Sequence, residues 1–256
     1  MIAFIRRSYR IAALLLWCIV LMVAASLSFG VVFGKWNRVR LGAFWTRFWS
    51  RGAAWIVGLR VRIFGAIPEG NGLLVVSNHL GYLDILAHGS TFKLRFAPKA
   101  EIRKWPFFGW LTALGSPVWI DRKNPRMSAV YAEEFKATME HGISMLVYPE
   151  GTSSDGKHGL LPFKSTPFAA ALSSGSNILP TLIFYRQRGN SSFNAAWYDD
   201  TPFGVHVWRV LGEKGTDVDL HILPVAELDK DDDRKRLASR IYDIMKEEYW
   251  QIERSH

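Results

Sequence analysis

Residues 73–87, LLVVSNHLGYLDILA, change character twice within one short segment. An apolar run with the residue types of a buried strand ends at Asn78, and apolar residues resume after Asp84. Asn78 and Gly81 are turn-forming residues between the two runs. The segment therefore predicts a strand, a turn that carries His79, and a helix whose first turn carries Asp84.

Strand-like and helix-like runs alternate through the rest of the chain. The predicted strands cover residues 61–65, 73–78, 116–121, 144–150, 177–185 and 219–224. The predicted helices cover residues 85–93, 128–142 and 166–175, and another begins at the aspartates 231–233. This alternation is typical of an α/β layered domain, with a central, mostly parallel sheet flanked by helices.

Composition narrows the class of protein. The chain has 256 residues, enough for one sizeable domain, and 49% of them are apolar, which excludes a disordered chain. A net charge of +9 and 11 tryptophans favour a membrane surface over nucleic acid, because indole rings accumulate at bilayer interfaces and no nucleic-acid-binding motif accompanies the charge. The single cysteine, Cys18, excludes disulfides within the chain and cysteine-based zinc sites.

An uncharged apolar segment covers residues 11–33. It exceeds the ~20 residues that a helix needs to cross a bilayer. Basic residues on both sides suit either a membrane anchor or a cleaved leader, for which residues 23–25 offer a cleavage site. The apolar run continues beyond Ala25, which favours a retained anchor. More basic residues follow the segment than precede it, which predicts that the body of the chain lies on the cytoplasmic side.

Residues 42–65 alternate tryptophans with arginines over the length of a helix. The pattern predicts a basic amphipathic helix in the headgroup plane of a membrane. The alternative is a scaffold helix whose apolar stripe packs on the core, and the two interpretations are compatible. We therefore divide the chain into a membrane-anchoring region at 1–60 and an α/β domain at 61–256.

His79 and Asp84 form the first candidate site. Five residues rotate a regular helix by about 500°, so the two side chains meet only if the chain bends between them. A carboxylate on one imidazole nitrogen fixes the tautomer and raises the basicity of the other, which makes His79 a candidate general base. No nucleophile pattern accompanies it, and this suits direct attack by a substrate hydroxyl. The alternative is a helix-capping Asp84 beside a surface His79 that performs no chemistry.

The second candidate site is VYPEGTSSDG, residues 147–156. An apolar strand stops abruptly at proline, glutamate, glycine and hydroxyl residues, which favour a turn that presents backbone N–H groups and a carboxylate together. The strand would hold this loop in a fixed position. An ordinary polar turn has the same composition.

Four blocks of the sequence together resemble a known family. In order and spacing, the glycerolipid acyltransferases, best known from the bacterial lysophosphatidic acid acyltransferases, have motifs similar to NHLGYLD (78–84), IDR (120–122), YPEGT (148–152) and ILP (178–180). The resemblance extends over residues 60–225, nearly all of the predicted α/β domain.

The resemblance implies roles for individual residues. His79 would deprotonate the acceptor hydroxyl while Asp84 orients it, and the alkoxide would attack a thioester carried by acyl carrier protein or coenzyme A. The positions implied to bind substrate are Glu150, Gly151, Thr152, Arg122, Lys99 and Pro180. No metal and no cofactor besides the thioester co-substrate is implied. The implied partners are membrane lipids, a lysolipid acceptor and the acyl carrier, without nucleic acid, and the implied location is the cytoplasmic face of the bacterial inner membrane.

One position departs from the family pattern. Many members that form phosphatidic acid have arginine directly after EGT, where it would bind a phosphate through two hydrogen bonds, whereas this chain has Ser153. The segments EGTSSDG and LPFKS (161–165) are similar to those of lyso-ornithine lipid acyltransferases, although Lys164 and Lys99 could supply charge for a phosphate. Lysophosphatidic acid is the first expectation for the acceptor, because its acylation is the commonest activity in the family, and lyso-ornithine lipid is the alternative.

Two further classes of function stay open. A metal-dependent hydrolase would use His79, Asp84 and His88, since His88 lies four residues after Asp84 and can share its helical face. A membrane scaffold without enzymatic activity would have no use for the polar blocks at the ends of the strands.

Overall fold

The computed structural model describes residues 1–70, 72–121, 127–188 and 193–255. Its strands are β1 (Leu59–Phe64), β2 (Leu74–Ser77), β3 (Leu94–Arg95), β4 (Ser144–Val147), β5 (Ile178–Gln187) and β6 (Thr216–Ile222). Its α-helices are α1 (Ile2–Val31), α2 (Lys35–Val57), α3 (Leu83–Thr91), α4 (Phe108–Ala113), α5 (Ser128–Glu140), α6 (Phe168–Ser174), α7 (Phe203–Gly212) and α8 (Arg234–Arg254), and a 3₁₀ helix covers Ala100–Lys104.

The strands form one sheet in the order β1-β6-β5-β2-β4-β3. Neighbouring strands are parallel, except β5 and β6, which are antiparallel. The predicted α/β fold with a mostly parallel sheet is therefore confirmed.

Strand β5 extends beyond its neighbour β2. The two strands pair as far as Ser77 and Thr181, after which β5 continues along β6. Asn78, the first residue after β2, binds both backbone groups of Ile183: its Nδ2 donates to the carbonyl at 3.0 Å, and its Oδ1 accepts from the N–H at 2.8 Å. The turn that carries His79 is thereby fixed beside the second half of β5.

Two apolar cores cover the two faces of the sheet. One contains α2, α3 and α7, with Leu83 and Val210 buried in it. The other contains α5, α6 and α8, with Phe168 and Ile241 buried in it. The sheet therefore lies between two layers of helices, as alternating strand and helix patterns require.

The predicted strand at 116–121 is wrong. This segment contributes only an isolated bridge, between Ile120 and Lys99. Proline has no N–H to donate to a strand ladder, and the two adjacent extended segments contain Pro98 and Pro117.

Residues 42–65 do not form one helix. Helix α2 ends at Val57, Gly58 has a φ of 84°, and β1 begins at Leu59. The buried stripe of α2 packs against α3 and belongs to the first core, which is the scaffold arrangement. A position of the same helix in the headgroup plane and the division of the chain at residue 60 stay predictions.

Helix α1 is, within the described residues, the one helix that is long and apolar enough to cross a membrane. It packs along α2, where Trp17 Nε1 donates to the Trp49 carbonyl at 3.1 Å and Trp45 Nε1 donates to Ser28 Oγ at 2.8 Å. The opposite face exposes apolar side chains, among them Leu16 and Leu27. One side of α1 thus belongs to the folded body, and the other is uncovered.

The N-terminal end of α1 is bound to α7. Arg6, Arg7 and Arg10 donate hydrogen bonds to backbone carbonyls of residues 208–214, at 2.7 to 3.4 Å. The last carbonyls of a helix lack partners within the helix and carry the negative end of its dipole, so cationic donors stabilise them. The sequence indicated these arginines only as charges that flank a membrane segment, so this contact was not predicted.

Candidate active site

His79 and Asp84 meet as the sequence predicts. Nδ1 of His79 lies 2.7 Å from Oδ2 of Asp84, which occupies the first turn of α3. The same oxygen accepts the backbone N–H groups of Leu80 and Gly81 at 2.7 and 3.1 Å. Asp84 therefore orients the imidazole and also holds the turn that precedes α3, whose N-terminus has no side-chain cap.

The backbone of the turn is held from outside as well. Glu150 Oε2 accepts the N–H of His79 at 2.9 Å, and the carbonyl of His79 accepts the N–H of Ser154 at 2.9 Å. The carbonyl of Leu80 accepts the N–H of Trp197 at 2.7 Å. The two sites that the sequence singled out are thus one structure, in which the 147–156 loop supports the turn that carries His79.

The two members of the pair differ in access. The side chain of Asp84 is fully buried, whereas that of His79 exposes 24% of its surface. The imidazole stacks on the ring of Tyr148, with centroids 4.2 Å apart and planes at 17°. Within the described residues, Nε2 of His79 has no hydrogen-bond partner. A fixed ring with one open nitrogen is the arrangement that a general base requires.

Glu150 faces the protein backbone. Its Oε1 accepts the N–H of Leu161 at 2.9 Å, its Oε2 accepts that of His79, and only 5% of the residue is exposed. Burial raises the pKa of this carboxyl to about 7, although both backbone hydrogen bonds act in the opposite direction. These contacts give Glu150 a structural role in the turn, and substrate binding by Glu150 stays a prediction.

We expect the free energy of unfolding to depend on pH through Glu150. The ordinary pKa of 4.5 applies to the unfolded chain and about 7 to the folded protein, so between these values the folded protein holds a proton that the unfolded chain has released. Stability from this group is therefore lost as pH rises through that interval. The Glu150→Gln variant lacks this titrating group. The difference between its thermal midpoint and that of wild type should therefore change in favour of the variant as pH increases from about 5 to 8.

Thermal unfolding in detergent at several pH values checks this expectation. Glu140→Gln, at an exposed position of α5, is the matched control and should give a curve parallel to that of wild type. A Glu150→Gln curve parallel to wild type would contradict the expectation.

Gly151 and Thr152 lie on the surface of the same loop. Gly151 has a φ of 74°, and the side chain of Lys164 crosses it so closely that a Cβ at this position would lie 2.4 Å from Nζ. Thr152 is exposed. The predicted EGT block is therefore split between a buried carboxylate and an open surface next to a lysine ammonium.

The other predicted substrate-binding positions are not brought to the pair. Pro180 is buried within β5, opposite Val76. Lys99 is exposed at the start of the 3₁₀ helix, and no contact between it and the pair is found in the described residues. Arg122 lies outside the described residues.

Sequence reasoning missed two aromatic residues of the site. Tyr185, near the end of β5, donates its hydroxyl to Oδ1 of Asp84 at 2.5 Å. Tyr148 stands inside the YPEGT block, yet its stacking on His79 has no signal in the sequence. Both contacts depend on how β4 and β5 align with β2.

His88 is enclosed rather than available as a metal ligand. Its Nδ1 lies 2.9 Å from the carbonyl oxygen of Asp84, and its Nε2 lies 3.3 Å from Oγ1 of Thr181. Burial lowers the pKa of His88, which favours the neutral ring. The described part of the chain contains no cluster of three or more side chains able to hold a metal ion.

Comparison with known proteins identifies the family. A family model described as acyltransferase matches residues 59–184. The lyso-ornithine lipid O-acyltransferase of Rhizobium meliloti (strain 1021) is 30% identical over 209 residues, which are 76% of this chain and 71% of that protein. The chain belongs to the acyltransferase family.

One further relative of this acyltransferase agrees with the assignment, and one solved structure has a similar fold. The 1-acyl-sn-glycerol-3-phosphate acyltransferase of Neisseria gonorrhoeae is 28% identical over 193 residues, 75% of each chain. The crystal structure of the 1-acyl-sn-glycerophosphate acyltransferase of Thermotoga maritima covers 97% of this acyltransferase and 96% of that chain, with a TM-score of 0.69 and 19% identity. The fold is therefore shared over nearly the whole chain, and the resemblance to acyltransferases is confirmed.

Proposed function

We propose that this acyltransferase moves a fatty acyl group from a thioester of acyl carrier protein or coenzyme A to the free hydroxyl of a lysolipid. The observation that carries the proposal is the 2.7 Å contact between His79 Nδ1 and Asp84 Oδ2, which leaves Nε2 open. The names of the Rhizobium and Neisseria relatives, both acyltransferases of lysolipids, support it.

The proposed reaction needs one base and no covalent enzyme intermediate. Nε2 of His79 takes the proton of the acceptor hydroxyl as its oxygen attacks the carbonyl carbon of the thioester. The carbon–sulfur bond then breaks, and the leaving thiolate receives the proton from His79. Asp84 stabilises the imidazolium that exists between the two transfers.

Ser77 does not compete as a nucleophile. This residue is fully buried in β2, and its hydroxyl has no hydrogen-bond partner among the described residues. A serine nucleophile needs a base within hydrogen-bond reach. The geometry therefore favours direct transfer between the two substrates.

We infer that the acceptor is lyso-ornithine lipid, with lysophosphatidic acid as the second candidate. The hydroxyl of Ser153 donates to the carbonyl of Trp197 at 2.6 Å, so position 153 presents no cation for a phosphate. The name of the Rhizobium relative supports the same choice. Lys164, whose ammonium lies beside Gly151, favours the phosphate acceptor and keeps the second candidate in the test.

The decisive experiment supplies each lysolipid in vesicles. Purified protein is incubated with acyl carrier protein or coenzyme A that carries a radiolabelled acyl group. The kcat/KM is then measured for lyso-ornithine lipid and for lysophosphatidic acid. We expect the former to be preferred. Ser153→Arg should raise the ratio in favour of lysophosphatidic acid by about 10-fold, since a charge-assisted hydrogen bond contributes ~1.5–3 kcal/mol.

Ser173→Arg, an exposed position on α6, is the control for added charge and should leave the ratio unchanged. A wild-type preference for lysophosphatidic acid would contradict the acceptor, and no transfer to any lysolipid would contradict the function.

We propose further that α1 lies in the plane of the bacterial inner membrane, with the catalytic domain on the cytoplasmic face. The uncovered apolar face of α1 and the exposed Trp55 and Trp208 support this, since indole rings suit the bilayer interface. When mixed with anionic vesicles, the protein should float with them in a density gradient. In a separate test, protease added outside spheroplasts should leave the protein intact. Protein that stays at the bottom of the gradient, or that is cleaved, argues against this location.

A further inference from the structure

Tyr185 holds the carboxylate that orients His79. Its hydroxyl donates to Oδ1 of Asp84 at 2.5 Å, a length typical of a hydroxyl bound to a carboxylate. Tyr185 lies one position beyond the segment that the family model matches, and none of the four sequence blocks includes it.

The other donors to Asp84 reach its second oxygen. Oδ2 receives the imidazole of His79 and the N–H groups of Leu80 and Gly81, all from the same turn. Within the described residues, Tyr185 alone donates to Oδ1, and it comes from the sheet. The terminal torsion of an aspartate has broad minima, so a carboxylate held through one oxygen is less rigid than one held through both. The phenol fixes the carboxylate plane relative to β5.

We propose that Tyr185 is a positioning residue for acyl transfer, which acts through Asp84 to set the orientation and the base strength of His79. The inference rests on the proposed role of His79 as the general base. Tyr185 itself exchanges no proton with the substrates.

The phenol stays a donor at every pH at which the enzyme works. Burial and the neighbouring Asp84 raise the pKa of Tyr185 well above its ordinary value. A change in the pH profile of a Tyr185 variant therefore reports on His79 and not on the loss of a titrating phenol.

Loss of the hydroxyl has two separable effects. Without this hydrogen bond, the negative charge of Asp84 is less dispersed and attracts the protonated imidazole more strongly, so His79 stays protonated to higher pH. A carboxylate held through Oδ2 alone also orients the imidazole less well, which lowers the rate at every pH.

Tyr185→Phe tests both effects, because phenylalanine keeps the ring and removes only the hydroxyl. We expect kcat to fall by about 10-fold with KM changed by less than about 2-fold, and the acid limb of the kcat/KM profile to move up by about 0.5–1 pH unit. Tyr242→Phe is the matched control: its hydroxyl contacts the Leu160 carbonyl at 3.4 Å in the other core, and its kinetics should equal those of wild type.

A double-mutant cycle separates positioning from packing. In the Asp84→Asn background the added Tyr185→Phe change should have little further effect on kcat, because its route through Asp84 is already lost. The pH profiles of wild type and Tyr185→Phe are measured at a temperature at which both enzymes stay folded over the whole pH range, so the acid limb does not report on the folded fraction.

An unshifted acid limb, or additive losses of activity in the cycle, would overturn the inference. An active His79→Ala enzyme would overturn the proposed base instead, whereas an inactive His79→Ala enzyme beside a wild-type-like Tyr185→Phe enzyme would overturn the role of Tyr185 alone.

Discussion

Replacement of His79 by alanine is expected to abolish measurable acyl transfer while the protein stays folded. A positioned general base contributes ~10²–10⁴-fold, and His79 is the imidazole that Asp84 orients and Tyr148 stacks on. The backbone contacts of His79 with Glu150 and Ser154 do not involve the imidazole, so the turn should persist.

The measurement is kcat/KM for the better lysolipid, with the thermal midpoint as the check on folding. His141→Ala, at an exposed position that follows α5, is the matched control and should keep wild-type kinetics. Wild-type turnover by a folded His79→Ala enzyme would refute the assignment of the base.

Asp84→Asn is expected to have the second largest effect, a loss of roughly 10³-fold in kcat, because an amide no longer fixes the tautomer in which Nε2 can accept a proton. The amide also places an NH₂ group where the carboxylate now accepts hydrogen bonds from His79, Leu80, Gly81 and Tyr185. A buried donor set against another donor is costly, so this variant should also unfold at a lower temperature.

Single-turnover kinetics with a labelled thioester separate the two consequences, since the rate of the chemical step is compared for folded enzyme only. Asp229→Asn changes a carboxylate whose ion pair with Arg240 lies at the surface, and it should match wild type in both respects. An Asp84→Asn enzyme that retained more than about one tenth of the wild-type rate would show that the imidazole does not depend on this carboxylate.

The local part of the site could be read from the sequence because it lies within one short segment. Strand, turn and first helical turn follow directly from LLVVSNHLGYLDILA, and the five-residue spacing required the bend that the structure shows. The four blocks also identified the family, because four motifs in the same order are more specific to a family than any one motif.

The contacts that complete the site could not be read in this way. Tyr185 reaches Asp84 across 101 residues of sequence, and only the register of β5 against β2 brings them together. The resemblance implied that Glu150 binds substrate, and nothing in the sequence indicated that its side chain is buried beneath the turn. Helix α7 was not predicted, because the donors at its C-terminal end come from α1, some 200 positions earlier in the chain. Arg10 and Leu211, for example, are 201 positions apart.

That distant cap has a practical consequence for work on the enzyme. Removing the N-terminal helix to obtain a water-soluble version would strip the carbonyls of residues 208–214 of their guanidinium donors. Helix α7 carries His206, whose Nδ1 lies 3.1 Å from the hydroxyl of Tyr82, next to the turn that carries His79. We therefore expect a shortened enzyme to be impaired in the chemical step, and its poor turnover would be misread if it were ascribed to lost lipid access alone.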